Sequence, residues 1–266
     1  MSQTQANEAG RIIREWRQRR RMSQLDLALE ADISQRHLSF VESGRAKPSR
    51  EMVLKLAEHM DVPLRQRNRM LVAAGFAPSY GELRLDEDRF RPALAAVELV
   101  LRGHEPYPAI AVDRAWNMVL ANRAATTFLS DIDDPALLAP PVNVLRLALH
   151  PRGLAPRIIN LGEWRAHLIG RLRQQIEATA DSRLATLERE LSGYPGPRVT
   201  GDALHDPARD IAVPMRVRMG DTQLSFISTI TVFGTPLDIT LSELAIESFF
   251  PADAETAAHL RALSQS

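Results

Sequence analysis

The chain has 266 residues, of which 45% are apolar and 25% charged, a balance typical of globular proteins and long enough for two domains. It contains no cysteine, which excludes disulfides, zinc fingers and thiol chemistry. No apolar run is long enough to span a membrane and no signal-peptide core opens the chain, so we expect a cytoplasmic protein.

Positive charge is concentrated in the first 80 residues. This segment holds 14 Arg or Lys against 9 Asp or Glu, a net charge of +5, whereas the remainder holds 19 against 24, a net charge of −5. A basic head on an acidic body fits a DNA-binding module joined to a domain that does not bind DNA.

The first predicted helix covers residues 7–21. Ile12, Ile13 and Trp16 form its inward side, and a cluster of arginines follows them. Such a cluster is either a solvated surface or a set of contacts to DNA phosphates, and we predict a phosphate contact for Arg20.

The segment 23–49 predicts two short helices joined by a tight turn. Ser23 is a suitable N-cap for the first helix, and Asp26 can complete a capping box with it. Ser34 begins the second helix and Gly44 ends it.

The second of these helices is the predicted DNA-reading helix, because a short helix with polar side chains at its N-terminal end fits the major groove. We expect Gln35, Arg36 and Ser39 to face base edges, and Gln24 and Ser34 to lie against phosphates. The full set of predicted DNA contacts is Gln24, Ser34, Gln35, Arg36, Ser39, Phe40, Arg45 and Arg20.

The SQ opening, the L-A pair, the IS turn and the ESGR ending of this segment resemble, in register, the helix-turn-helix of the lambda-repressor-like (Cro/CI, or XRE) family. The resemblance covers residues 8–75, with two further helices between Ser49 and Gly75. It implies an all-α lambda-repressor-like DNA-binding domain, within which Arg17 and Glu42 form an ion pair. We place this domain at 1–80 and a polar linker at 81–90.

Beyond the linker, the pattern changes to that of an α+β domain. Residues 109–112 and 116–120 predict two strands, and Asn122 is a suitable cap for a helix after them. Apolar residues at helical spacing then predict one long helix from Trp164 through Leu191, which the GYPGP run ends.

Three more strands are expected in the last part of the chain. Alternation from Ile211 to Met219 predicts the first of them, and stretches at 223–233 and 241–249 predict the others. The order of strand, strand, helices and three antiparallel strands is that of a PAS-like domain, in which helices on one antiparallel sheet enclose a small pocket.

The motifs SQRHLSFVESGRAKPS, LVAAGFAPSY, NMVLANRAA, NVLRLALHPRGL and FGTPLDITLSELAIESFFPAD, in this order, resemble the MmyB-like transcription regulators over residues 8–253. The resemblance implies an XRE-type head joined to a PAS-like ligand-binding domain that holds a fatty acid or acyl group. We place the ligand-binding domain at 91–253 and a C-terminal tail at 254–266.

Candidate ligand contacts follow from the family motif. Polar groups within apolar segments suit a fatty-acid carboxylate, so Asn143, Arg146 and His150 are the predicted head-group contacts, with Trp164 and Trp116 in the apolar wall. Two alternatives stay open: the tryptophans are ordinary core residues, and His150 only ends a helix.

No catalytic or metal-binding motif is present. The seven histidines lack HExxH or HxH spacing, and GxSxG, Walker and GxGxxG sequences are absent, so we predict neither an enzyme nor a metal or cofactor site.

Three functions are consistent with these observations. The favoured one is a sequence-specific transcriptional regulator whose PAS-like domain binds a small apolar ligand. The alternatives are a constitutive DNA-binding protein whose C-terminal domain only dimerises, and an enzyme tethered to DNA. We expect a homodimer on a DNA operator, since one reading helix contacts too few bases to find a single site.

Overall fold

The computed structural model describes residues 3–129, 132–197, 213–233 and 238–265. Two compact units are present. The first spans the chain up to Leu83 together with Asp238 and Ile239, and the second takes the remainder from Arg84 onward.

The first unit is all-α, as predicted. Its apolar positions recur at helical spacing, so each helix buries one side in a common core. Ile13, Leu27, Leu38, Leu56 and Leu71, one from each helix, are fully buried in it. The helices are α1 (Gln3–Arg19), α2 (Gln24–Glu30), α3 (Gln35–Glu42), α4 (Arg50–His59) and α5 (Leu64–Ala73).

Side-chain hydrogen bonds cap the N-termini of α2 and α3 at the predicted residues. The Asp26 amide donates to Ser23 Oγ over 3.1 Å, and the Ser23 amide donates to Asp26 Oδ2 over 2.8 Å, which completes the capping box. These bonds to Ser23 lower the pKa of Asp26. Ser34 caps α3 in the same way through the His37 amide.

A buried ion pair joins α1 to α3. Arg17 Nε and Nη2 donate to the two carboxylate oxygens of Glu42 over 2.6 and 2.8 Å, and Arg17 Nη1 donates to the Met22 carbonyl over 2.8 Å. Gln24 Nε2 adds a third donor to Glu42, over 2.8 Å. The hydrogen bond from Arg17 to Glu42 raises the pKa of the guanidinium. Both oxygens of the carboxylate are therefore satisfied, as a buried charge requires.

The second unit contains one antiparallel sheet of five strands in the order β2-β1-β5-β4-β3. The strands are β1 (Ala109–Val112), β2 (Met118–Ala121), β3 (Met215–Met219), β4 (Thr222–Val232) and β5 (Ala245–Pro251). β5 lies at the centre, paired with β1 through Ile110–Glu247 and with β4 through Ile230–Glu247. The α+β fold with an antiparallel sheet confirms the predicted class.

Seven helices of the second unit lie in the described part of the chain. They are α6 (Arg91–Gly103), α7 (Arg123–Thr127), α8 (Val144–Leu149), α9 (Leu161–Thr179), α10 (Ser182–Gly193), α11 (Ile239–Ser242) and α12 (Ala254–Gln265), although α11 begins with a residue of the first unit. Helices α8, α9 and α10 share an apolar cluster with the strands, centred on Leu145, Leu172 and Leu187.

The helix that was predicted to run without a break from Trp164 to Leu191 is interrupted in the structure. It is two packed helices, α9 and α10, because Ala180 adopts a left-handed conformation (φ 55°) and Asp181 caps a new helix through the Arg183 amide. The leucine spacing is preserved across this break, so spacing alone did not indicate it.

Two segments near the C-terminus also differ from the sequence prediction. The last strand begins at Ala245 rather than 241, because α11 occupies the preceding residues. Residues 254–265 form α12 instead of a tail, and Leu260 packs against Leu224 and Phe226. The predicted strand position Ile211 lies outside the described residues.

The ion pair in the first unit can be tested by unfolding. We expect Glu42→Ala to lower the free energy of unfolding by about 3–5 kcal/mol, because the Arg17 guanidinium then stays buried without its carboxylate. The measurement is urea unfolding followed by circular dichroism. The double variant Arg17→Met/Glu42→Leu removes both charges and should lose less stability than Glu42→Ala. A Glu42→Ala variant as stable as the parent contradicts this expectation.

Candidate functional site

The reading helix α3 presents a polar surface at its N-terminal end. Leu38 is fully buried and fixes the orientation of the helix, while Gln35 and Arg36 are exposed. Ser39 and Phe40 are half-buried beside them. These four predicted base contacts thus share one side of α3, as its helical period requires.

Arg36 extends over the ring of Phe40. Its guanidinium carbon lies 5.4 Å from the ring centroid, within cation–π range. An arginine held over an aromatic ring loses less side-chain freedom when it binds, and its planar donors match the O6 and N7 acceptors of guanine.

The other predicted DNA contacts differ in their surroundings. Ser34 and Arg45 are exposed. Gln24 is half-buried and its amide is bonded to Glu42. Arg20 donates from Nε to the Met60 carbonyl over 2.7 Å and from Nη2 to the carbonyl of Asp61 over 2.8 Å. Arg20 therefore closes the C-terminal end of α4, a structural role that its sequence context did not indicate.

An apolar cavity of about 110 Å³ lies in the second unit, between the sheet and helices α7, α8 and α9. Ile110, Phe226 and Phe249 line it from the strands, and Leu145 and Leu168 line it from the helices. Hydrocarbon side chains form nearly all of its wall, which is the composition expected of a site for an apolar ligand.

Of the five predicted ligand contacts, Trp164 lines this cavity and the other four do not. Asn143 is the N-cap of α8: its Oδ1 accepts from the Arg146 amide over 3.1 Å, and its Nδ2 donates to the Ala115 carbonyl over 2.7 Å. His150 Nδ1 accepts from the Arg152 amide. Both side chains thus bond to backbone at the ends of α8.

Arg146 is paired with a carboxylate of the protein itself. Its Nε and Nη2 each donate to Glu190 over 2.8 Å, and Tyr194 donates its hydroxyl to the same carboxylate over 2.7 Å. The hydrogen bond from Arg146 lowers the pKa of Glu190, while burial, followed by the bond to Glu190, raises the pKa of Tyr194 to about 12. A ligand carboxylate would have to displace Glu190 to reach Arg146.

Two charged residues were not predicted: Glu247, which lines the cavity, and Arg171, which pairs with it. Glu247 lies in the centre of β5, is only 4% exposed and lines the cavity. Its Oε1 accepts from Arg171 Nη1 over 2.9 Å. The available sequence signal was one glutamate within the apolar run AIESFF, and an arginine two turns after Trp164 on α9.

Trp116, the fifth predicted contact, packs against the Arg171 guanidinium of this pair. Its ring centroid lies 4.9 Å from the Arg171 guanidinium carbon, and its Nε1 donates to Gln175 Oε1 over 2.7 Å. His167, one turn before Arg171, stacks on Trp164, and burial together with the charge of Arg171 lowers its pKa.

Among the described residues, no cluster of His, Asp or Glu could hold a metal ion. No helix in that part of the chain has the length and apolar character needed to cross a membrane.

Comparison with protein families matches both units. A helix-turn-helix model matches residues 13–66, which include α2 and α3. A model of the MmyB-like transcription regulator ligand binding domain matches residues 90–263, which include all five strands and the cavity. No curated protein matches the chain.

Proposed function

The chain belongs to the MmyB-like transcription regulators, DNA-binding regulators with a ligand-binding domain, and we propose that it responds to a molecule with an acyl chain. The observation that carries this proposal is the apolar cavity between the sheet and α8 and α9. Both matched families are regulator types rather than enzymes, so we propose no catalysis. A DNA operator as partner also implies a cytoplasmic location.

The cavity has room for part of an acyl chain. Its volume of about 110 Å³ is below the roughly 150 Å³ of an apolar cavity that holds one benzene molecule, so about four or five carbon groups would fill it. A longer chain would have to extend beyond these lining residues. Each methylene buried would contribute about 0.8 kcal/mol, so affinity should rise steeply with chain length and then level off.

Blocking the cavity tests this proposal. Ala148 lines it from α8, and Ala148→Phe would place a phenyl ring in the space of the chain. We expect fatty-acid affinity to fall about tenfold or more, since the loss of about two buried methylenes is enough for that. Isothermal titration calorimetry across a chain-length series provides the measurement.

The matched control is Ala258→Phe, the same substitution at an exposed position of α12. It should leave both affinity and chain-length dependence unchanged. If the parent protein binds no fatty acid of any length, the proposed ligand binding is wrong. The alternative then stands: a constitutive DNA-binding protein whose C-terminal domain only dimerises.

We further propose that α3 reads the operator through Gln35, Arg36 and Ser39, with Phe40 packing beside them. Their shared position on one side of α3 and the stacking of Arg36 on Phe40 support this assignment. Ser34, at the N-terminal end of α3, and Arg45 would contact phosphates.

Replacing Arg36 by Ala should weaken operator binding by about 1–3 kcal/mol and relax the sequence preference, because a base contact is lost. Arg69→Ala, which removes one exposed positive charge from α5, should leave the preference intact. Selection of binding sites from random DNA measures both effects. An Arg36→Ala variant that selects the parental sequence contradicts the assignment.

We also propose a homodimer assembled through the second unit. Helix α6 exposes Leu99 and Val100, with Leu99 73% exposed, and apolar side chains exposed together are typical of association surfaces. This feature supports the alternative of a domain that only dimerises as well, but assembly and ligand binding are compatible in one regulator.

The variant Leu99→Glu should shift the dimer towards monomer, because it places a charge in the apolar contact. Leu29 on α2 is 71% exposed, so Leu29→Glu is a control of equal exposure in the first unit, and it should leave the dimer intact. Sedimentation velocity at micromolar concentration compares the two. If the dimer persists in the Leu99→Glu variant, or dissociates only in the Leu29→Glu variant, the dimer contact does not lie at Leu99.

A further inference from the structure

The indole of Trp164 is a hydrogen-bond donor at the cavity that has no acceptor in the described protein. Trp164 is 2% exposed and lines the cavity, and its Nε1 is buried without a hydrogen bond to any residue that the structure describes. Trp116 provides a contrast, because its Nε1 donates to Gln175 Oε1. Buried donors are nearly always satisfied, so Trp164 Nε1 indicates an acceptor that arrives with the ligand.

A second unsatisfied donor lies on the same side of α9. Arg171 follows Trp164 by about two helical turns. Its Nη1 donates to Glu247 Oε1, whereas its Nη2 is buried without a hydrogen-bond partner in the described part of the chain. Indole and guanidinium nitrogens only donate, so the polar group that satisfies either of them must be an acceptor.

The charges already present at the cavity limit which acceptor can enter. Glu247 lines the cavity, is 4% exposed, and is balanced by the positive charge of Arg171. Burial and the charge of Arg171 lower the pKa of His167, which disfavours a further positive charge there. A bound carboxylate would therefore add an unbalanced negative charge to an apolar space, whereas a carbonyl oxygen accepts a hydrogen bond without adding charge.

We infer that the cavity binds an acyl chain through a neutral carbonyl group, such as that of an ester or amide, with Trp164 Nε1 as the donor to the carbonyl oxygen and Glu247 as the residue that disfavours a free carboxylate. The inference rests on the proposed binding of a molecule with an acyl chain and identifies the polar group of that molecule. Trp164 was expected only as part of the apolar wall, and its N–H group gives that wall a preference for an acceptor.

Three small probes that suit the size of the cavity separate these contributions. A neutral carbonyl is present in 2-pentanone, a carboxylate in pentanoate, and no oxygen in 1-chlorobutane. The chain has three tryptophans, so an NMR spectrum of the full-length protein with isotopically labelled indole nitrogens has three indole signals, and Trp164→Phe identifies one of them. We expect 2-pentanone, but not 1-chlorobutane, to move the Trp164 indole proton downfield, as a new hydrogen bond does. The Trp116 signal should not move, since its N–H is already bonded.

Affinities from the same titrations test the donor. Trp164→Phe keeps an aromatic ring and removes the N–H group, so it should lower the affinity for 2-pentanone relative to 1-chlorobutane by about two- to tenfold, the range expected for one hydrogen bond. Trp116→Phe is the matched control, because it removes an indole N–H group whose acceptor is Gln175. It should leave the ratio of the two affinities unchanged.

The charge argument is tested with pentanoate. At about pH 7.5 its carboxyl group is ionised, and we expect the parent protein to bind 2-pentanone at least about tenfold more tightly. Because hydration also favours the ketone, the decisive quantity is the change produced by Glu247→Gln. This variant removes the negative charge and keeps that of Arg171, so pentanoate affinity should rise at least about tenfold relative to 2-pentanone. If thermal unfolding shows that Glu247→Gln does not fold, the Trp164 comparisons still decide the inference.

Three results would overturn the inference. They are a Trp164 indole signal that 2-pentanone and 1-chlorobutane move alike, an unchanged affinity ratio in Trp164→Phe, and pentanoate binding to the parent as tightly as 2-pentanone. Absence of binding by all three probes would instead reject the acyl-chain function on which the inference rests. The two kinds of failure are therefore distinguishable.

Discussion

The ion pair between Arg171 and Glu247 holds helix α9 against the central strand β5, and the shape of the cavity depends on that distance. Trp164 and Leu168 are carried by the same helix, so they line the cavity only while α9 keeps this position. Trp116 stacks on the far side of the guanidinium and fixes its orientation. Two apolar side chains of similar size would hold α9 against β5 at no greater cost in free energy. The chief contribution of the ion pair is therefore polarity in an otherwise hydrocarbon space.

Each unit thus contains one buried arginine–carboxylate pair, and the two pairs differ in how completely they are satisfied. Glu42 accepts from Arg17 and Gln24 through both oxygens and has no capacity for a ligand. It fixes the position of the reading helix relative to α1. In the second pair, Arg171 Nη1 donates to Glu247 Oε1, and Arg171 Nη2 is buried without a hydrogen-bond partner among the described residues. The same type of pair is therefore fully hydrogen-bonded in the first unit and only partly so in the second, where Glu247 lines the cavity.

Helix α8 illustrates how one helix separates structural from binding residues. Leu145 and Ala148 face the cavity, whereas Arg146 lies between them in sequence and on another side of the helix, where Glu190 pairs with it. The pairing with Glu190 and Tyr194 links α8 to α10 and stabilises the wall from outside. A positive charge next to an apolar segment in sequence is thus not necessarily next to the apolar cavity.

The sequence alone determined those features that depend on neighbouring residues: the caps at Ser23 and Ser34, the apolar sides of the helices, the alternation in β3, and the family of both units. These rest on hydrogen bonds and periodicities that act within a few residues. The tertiary structure decided which strand lies at the centre, where α9 ends, and which charges meet at the cavity. Glu247 pairs with Ile110 across more than half of the chain, and no local pattern specifies such a contact. Because a buried charge is tolerated only where a partner comes from elsewhere in the fold, the site became visible only once Arg171 and Glu247 were brought together.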